Sequence, residues 1–248
     1  MNASASETGL KVVVFGATGN LGRRLVEAGI DKGLSVTAFV RNGGKLAEQQ
    51  GSDNMKRISV VEGDALDPGA VAAAMQGQAA AVNAAGNVRD GDSFHKTCRT
   101  ITEAAEAALE PPKRLWLLGG AAALTIADTN LTGLDLPFMP PMFKNHGRNL
   151  ELLRQSGLDW SFMCPGPMVP VEKLPKEMAP IVSLEVLPIL PGKLAKLAPR
   201  IGLSLFFVWN VTKMIVSFEE VAGVIMSNLR GGSPFSRKRV GVAVARLN

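Results

Sequence analysis

The run Lys11-Val12-Val13-Val14-Phe15, followed at once by Gly16-Ala17-Thr18-Gly19-Asn20-Leu21-Gly22, constrains this chain more than any other stretch. A β-branched run between Gly9 and Gly16 predicts a short strand buried on both faces. Behind the glycines, Leu21, Leu25 and Ile30 keep helical spacing up to a stop at Gly33. Strand, Gly-x-x-Gly-x-x-Gly turn and helix in that order bring Gly16, Thr18, Gly19, Asn20, Leu21 and Gly22 to a diphosphate. Backbone amides and the helix dipole would hold it there. The motif therefore predicts a dinucleotide-binding α/β fold of the Rossmann type.

The remaining chain repeats the alternation. Strands are predicted at Ser35–Val40, Arg57–Val61, Ala80–Ala84 and Leu115–Leu118, with helices at about Pro68–Gln76 and Ser93–Glu110. Alternating strands and helices imply a doubly wound parallel sheet with helices on both faces. A helix from about Met142 to Gln155 and a sixth strand at Asp159–Met163 follow. Ser217, with Glu219 and Glu220 behind it, begins a helix to about Leu229, and Arg239–Val244 reads as a last strand. The whole of 1–248 is expected to be a single domain, in which 168–212 is a Pro/Leu/Met-rich, lid-like insertion.

Two positions speak to the choice of coenzyme. Past the second strand, where an acidic residue would receive the ribose 2′-hydroxyl, stand Arg41 and then Lys45. A guanidinium there suits a 2′-phosphate, so NADPH/NADP is expected. Asp64, beside Ala65 at the end of the third strand, accepts from an adenine amino group or caps the helix near Pro68. Ala84, Ala85 and Gly86 after the fourth strand, and Gly119 and Gly120 after the fifth, leave room for a nicotinamide ribose.

Composition removes several alternatives. The net charge is +5, but no Lys/Arg run has the length of a nucleic-acid tail; Arg237-Lys238-Arg239 reads as a solvated strand edge. Cys98 and Cys164 form neither a metal motif nor a disulfide framework, so no metal is expected and a reducing compartment is the simpler reading. The first residues have no apolar secretory core, and the longest apolar stretch, Ile201–Trp209, is too short for an integral membrane segment. A cytoplasmic protein is expected.

The chain resembles the atypical short-chain dehydrogenase/reductases, most closely the NmrA-like and biliverdin reductase B/flavin reductase branch. The resemblance rests on Gly16–Gly22, on Val40-Arg41, on Val60-Val61-Glu62-Gly63-Asp64-Ala65, and on the stretch from His146 to Pro165 containing Leu153-Arg154-Gln155-Ser156-Gly157-Leu158-Asp159-Trp160. It implies NAD(P)H binding and adds Pro165 to the cofactor residues. It also exposes a departure. The family's catalytic Tyr and Lys fall, by spacing, on Met142 and His146, the chain has no Tyr, and Gly119-Gly120-Ala121 replace the usual Ser.

Hydride transfer to a conjugated acceptor of flavin, quinone or enone type needs mainly proximity and stacking, and survives that loss. An NADPH-dependent reductase of a small apolar or aromatic substrate is therefore expected. His146 is the one ionisable group placed near the nicotinamide, as proton donor, as ribose partner or as a bystander. The alternatives are a non-catalytic NADP(H)-binding regulator and a redox-neutral isomerase or cyclase of secondary metabolism. Met139, Met142, Met163, Met168 and Met178 cluster towards the substrate side, as pocket lining or ordinary core. Ile181–Trp209 is read as a substrate lid, and equally fits a homodimer face or a peripheral membrane contact. His95 is expected to be structural, and Ser93 and Asp92 to cap their helix.

Overall fold

The computed structural model describes residues 9–137, 139–174, 178–191 and 199–246. Alternation of side chains along the first strand already sets two layers. Val12 and Val14 point into one core and Val13 and Phe15 into another, and all four are fully buried. That strand, β1 (Lys11–Phe15), is followed by α1 (Asn20–Asp31), β2 (Ser35–Val40), α2 (Gly43–Met55), β3 (Ile58–Glu62), α3 (Pro68–Met75), β4 (Ala80–Asn83), α4 (Asp92–Ala108) and β5 (Arg114–Leu118). Next come α5 (Lys144–Gln155), β6 (Asp159–Pro165), the short β7 (Met168–Val169) and β8 (Met178–Leu184). The chain then forms α6 (Pro199–Asn210), the short β9 (Val216–Ser217), α7 (Phe218–Met226) and β10 (Lys238–Arg246).

The main sheet has eight strands in the order β3-β2-β1-β4-β5-β6-β10-β8. All its pairings are parallel except β10 with β8. The order reverses between β1 and β4, and in such sheets ligands bind in the crevice outside the carboxyl ends at that reversal. One face is covered by α1 and α7 through Leu25, Val26, Val221 and Ile225. The other is covered by α3, α4, α5 and α6, through Val71, Ile101, Leu150 and Leu203 among others. The predicted doubly wound single-domain architecture is the observed one, with an antiparallel edge strand added.

Several local expectations are corrected. Helix α2 escaped the sequence pattern because only Leu46 and Gln50 on it are buried and Gly51, at φ 73°, kinks it. Strand β8 escaped because it contains Pro180, which an edge strand tolerates since one row of its backbone groups needs no partner. The Arg237–Arg239 cluster is only partly a solvated edge: Arg237 and Lys238 are exposed, but β10 lies inside the sheet, and Arg239 is buried. Its guanidinium donates to Glu185 at 2.7 Å, to the Ala123 carbonyl at 2.7 Å and to Thr125 at 3.0 Å. At α4, Gly91 holds the cap position, while Asp92 pairs with Arg148 at 2.6 Å, which lowers the pKa of its carboxyl. Ser217 caps α7 as expected, in a reciprocal box with Glu220.

Candidate functional site

At the β1–α1 turn the glycines are needed for packing as much as for a ligand. Gly16 has φ 76°, and a Cβ on it would lie 2.7 Å from the backbone of Ala85, across the reversal in strand order. A Cβ on Gly22 would sit 2.0 Å from the Gly16 carbonyl oxygen. The turn closes when the Gly19 amide donates to that same carbonyl at 2.9 Å. From α2, Gln49 donates to the Thr18 carbonyl at 3.2 Å, and its own Oε1 is buried without a partner.

Helices α2 and α3 are capped by Asn42 and Asp67, but no side chain caps α1. Its first-turn amides, around exposed Gly19 and Asn20, are left for an anion. The uncapped helix start and the glycine turn together fit the diphosphate end of a dinucleotide.

At the far end of that site, Asn42 accepts from the Lys45 amide at 3.0 Å, which leaves the Arg41 and Lys45 side chains exposed at the mouth of β2. A carboxylate the sequence reading missed is also here: Glu62, at the end of β3, accepts from the Gly43 amide at 2.8 Å. Asp64 is not the cap of α3. It accepts from the Leu66 amide at 2.9 Å, and the cap is Asp67, bound to the amides of Gly69 and Ala70. Ala65, Ala84 and Ala85 pack their methyls against the two cores, while Gly86, at φ 91°, lies where any Cβ would strike Phe94.

Beyond β5 and β6 a cavity of about 470 Å³ opens. Gly119 and Gly120 form part of its wall, as does Pro165 at the end of β6; Ser204 and Phe207 of α6 approach from the insertion. Of the methionines singled out from sequence, Met139 and Met168 line it, whereas Met163 is buried in the core behind the sheet. Met142 lies partly buried outside the lining, and the Met178 side chain is outside the described residues. Leu136, Phe143, Gly166 and Met214 are lining residues that sequence reasoning missed. The Pro165-Gly166-Pro167 run was the available signal: a Cβ on Gly166 would come within 2.1 Å of the Met214 carbonyl, so the chain can pass there only as glycine.

His146 is the one titratable residue in this lining. Helix α5 carries it inward, where its ring stacks on Phe143 at 6.0 Å and meets the edge of Phe94 at 5.7 Å. Its Nε2 faces Gly120 so closely that a Cβ there would be 3.0 Å away, and its Nδ1 is buried without a partner. Burial pushes its pKa down to about 4, so the imidazole is neutral at physiological pH. A neutral ring donates or accepts a hydrogen bond but is a poor source of a whole proton.

His95 faces elsewhere. Its Nδ1 is 2.7 Å from Asn149 Oδ1, and Asn149 donates to the buried Cys98 sulfur at 3.1 Å. Burial raises the Cys98 thiol to about 12, which leaves it inert. Among the described residues, no group of three His, Cys, Asp or Glu side chains is placed to hold a metal, and no helix is long and apolar enough to cross a membrane.

A parallel sheet with a glycine turn and bare helix amides at its reversal point defines a Rossmann-type dinucleotide-binding protein. Residues 16–176 match the NAD(P)H-binding family, and the chain belongs to that family. It is 29% identical over 167 residues to the uncharacterized protein YwnB of Bacillus subtilis, covering 63% of this chain and 71% of that one. Among solved structures, a provisionally assigned epimerase from Bacteroides thetaiotaomicron superposes with a TM-score of 0.71 at 20% identity, over 97% of this chain and 100% of the other. A short-chain dehydrogenase/reductase from Veillonella parvula, solved with NADP, gives 0.64 at 15% over 94% of each chain. ChuY, an anaerobilin reductase from Escherichia coli O157:H7, gives 0.61 at 18% over 96% and 98%. At such identities these likenesses speak for the fold.

Proposed function

We propose that the protein is an NADPH-dependent reductase of a small, apolar, conjugated acceptor. The observation that carries the reading is the cavity beyond β5 and β6. Apart from Ser204 its wall is apolar or glycine, with His146 as the single titratable group. The nicotinamide, when bound, supplies a hydride. The chain supplies the rest: amides of the β1–α1 turn bind the diphosphate, Arg41 and Lys45 receive a 2′-phosphate, and the glycines after β5 let the ring approach the cavity. Glu62 is an opposing charge at that ribose, but the Gly43 amide already engages it at 2.8 Å, whereas two exposed cations stand opposite.

Within the pocket, Phe143 and Phe207 offer faces to a flat acceptor, and α6 excludes water as a lid. The neutral His146 polarises an acceptor oxygen or ring nitrogen through one N–H, and solvent delivers the proton afterwards. An anaerobilin reductase among the structural neighbours is in keeping with a reductase.

NADPH consumption followed with panels of flavins, quinones and enones tests the reading. Turnover with a member of these classes, and faster with NADPH than NADH, is the expected result. Tight binding of NADPH with no turnover across all three panels would favour the second reading, a non-catalytic NADP(H)-binding regulator. Its motivation is the chain without Tyr and the neutral His146. A product of unchanged oxidation state would instead favour a redox-neutral isomerase or cyclase, which the neighbour provisionally assigned as an epimerase keeps in view.

A further inference from the structure

We propose that a polar groove at the amino ends of β1, β2 and β3 binds a small phosphorylated polyol. The alternation that separates the two cores also splits one face of the sheet along its length. On the face of Val13 and Phe15, β2 contributes Ser35, Thr37 and Phe39, and β3 contributes Ser59 and Val61. Lys11 stands in register with Ser35, and Thr37 with Ser59. The carboxyl half of this face is apolar, and Phe39 and Val61 pack in one core with Val71 and Met75 of α3. The amino half carries hydroxyls and an amine instead. Helix α3 is only eight residues long, roughly 12 Å, and the chain turns away at Gly77 with φ 69°. What stays open is a groove of about 470 Å³, bounded by the end of α3 and by the turn that leads into β3.

The lining chooses the ligand. Lys11, Lys56 and Arg57 stand exposed around the opening, and no Asp or Glu is among the described residues that line it. Lys56 pairs with Asp53 at 3.2 Å, but both side chains are largely exposed, and such a pair yields readily to a competing anion. Arg57 donates to the Ile30 carbonyl at 3.0 Å, which holds it at the rim. Three cations around one opening suit a dianionic phosphate. The floor gives an independent sign. Thr37 and Gln78 are each only 9% exposed, and Gln78 Nε2 donates to Thr37 Oγ1 at 3.1 Å. Gln78 Oε1 is buried without a partner. A carboxamide oxygen in that position calls for a donor. A bare anion cannot supply one, but a hydroxyl seated beside Thr37 can. Cations at the rim and an acceptor at the floor together select one molecule with both a phosphate and free hydroxyls. The groove lies at the opposite end of the strands from the glycine turn, and nothing in it depends on the redox reading.

Titration calorimetry on the full chain, with excess NADP present to fill the dinucleotide site, compares glycerol 3-phosphate and glucose 6-phosphate with inorganic phosphate and glucose. At least one phosphorylated polyol should bind, inorganic phosphate roughly tenfold more weakly and glucose not detectably, with raised salt weakening both anions. Lys11→Gln with Lys56→Gln changes two exposed side chains and should weaken the phosphorylated polyol at least about tenfold. Gln78→Leu should lower it to the level of inorganic phosphate and leave inorganic phosphate unchanged. An unchanged melting temperature certifies the lysine variant as folded. If Gln78→Leu does not fold, the ratio of phosphorylated polyol to inorganic phosphate in the parent chain still decides whether hydroxyls are read. Absence of binding by both phosphorylated polyols overturns the proposal, as does binding that the folded lysine variant retains. Equal affinity for inorganic phosphate also overturns it, because the groove would then read charge alone. So does binding seen only without NADP, which would put the anion in the glycine turn.

Discussion

The turn between β1 and α1 exposes backbone amides, whereas the cavity beyond β5 and β6 exposes side chains, and the two respond differently to change. In the turn, spacing is fixed by atoms that cannot move independently: a Cβ on Gly22 would overlap the Gly16 carbonyl at 2.0 Å, and one on Gly16 would overlap Ala85. In the cavity, the wall is assembled from α5, α6 and the loops after β5 and β6, where neighbouring aliphatic groups can repack. The first arrangement suits a ligand that never varies. The second suits an acceptor whose shape is set late and locally, so one scaffold can host many reactions.

The contrast breaks most visibly at Gly22. Gly22→Ala pushes a methyl into the turn carbonyl, and relief requires α1 to move away from the strand, dispersing the amides. Dinucleotide binding should fall below detection in titration calorimetry, with a loss of stability of about 1–3 kcal/mol from overpacking. Native affinity in that variant would mean that the turn does not hold the diphosphate.

A smaller effect is expected at the ribose end, where in the proposed reading side chains rather than backbone choose between coenzymes. Arg41→Asp with Lys45→Ala leaves the backbone of the Asn42 cap in place, because Asn42 binds the Lys45 amide and not its side chain. NADPH affinity should drop by about 2–4 kcal/mol, through lost charge-assisted hydrogen bonds and an added repulsion, with NADH affinity much less affected. Equal affinities for the two coenzymes in the unaltered protein would remove the basis of the preference.

The same contrast explains what the sequence made legible. Glycine spacing and β-branched runs are local signals, so β1, the turn, α1 and the order of alternating elements could be read directly. Asp67 shows the limit: the cap of α3 and the residue three before it are both Asp, and only geometry separates the Asx turn at Asp64 from the cap. Buried Arg239 was unreadable because its partners, Glu185, Ala123 and Thr125, are far along the chain. Phe143 and Met214 line the cavity from positions 71 residues apart, and no period or motif couples them. His146 could be placed by family spacing, but its neutrality could not, since that depends on packing against Phe94 and Phe143 and on the missing partner at Nδ1.

That neutrality yields the smallest of the three effects. The His146 pKa is lowered from 6.5 to about 4, and burial is the cause. Above pH 6.5 the ring is neutral in both folded and unfolded chains and stability is indifferent to it. As pH falls below 6.5 the unfolded chain takes up a proton that the folded chain refuses, so stability declines until about pH 4, where the folded ring also protonates. At pH 5 the penalty is about 2 kcal/mol relative to pH 8. His146→Phe keeps a flat ring between Phe94 and Phe143 and removes the titration. The difference in unfolding free energy between this variant and the parent, from urea titrations at pH 8 and pH 5, should therefore grow by that amount in favour of the variant. A pH-independent difference would mean that the imidazole is solvated rather than enclosed, and the pocket would then be a wet cleft unsuited to an apolar acceptor.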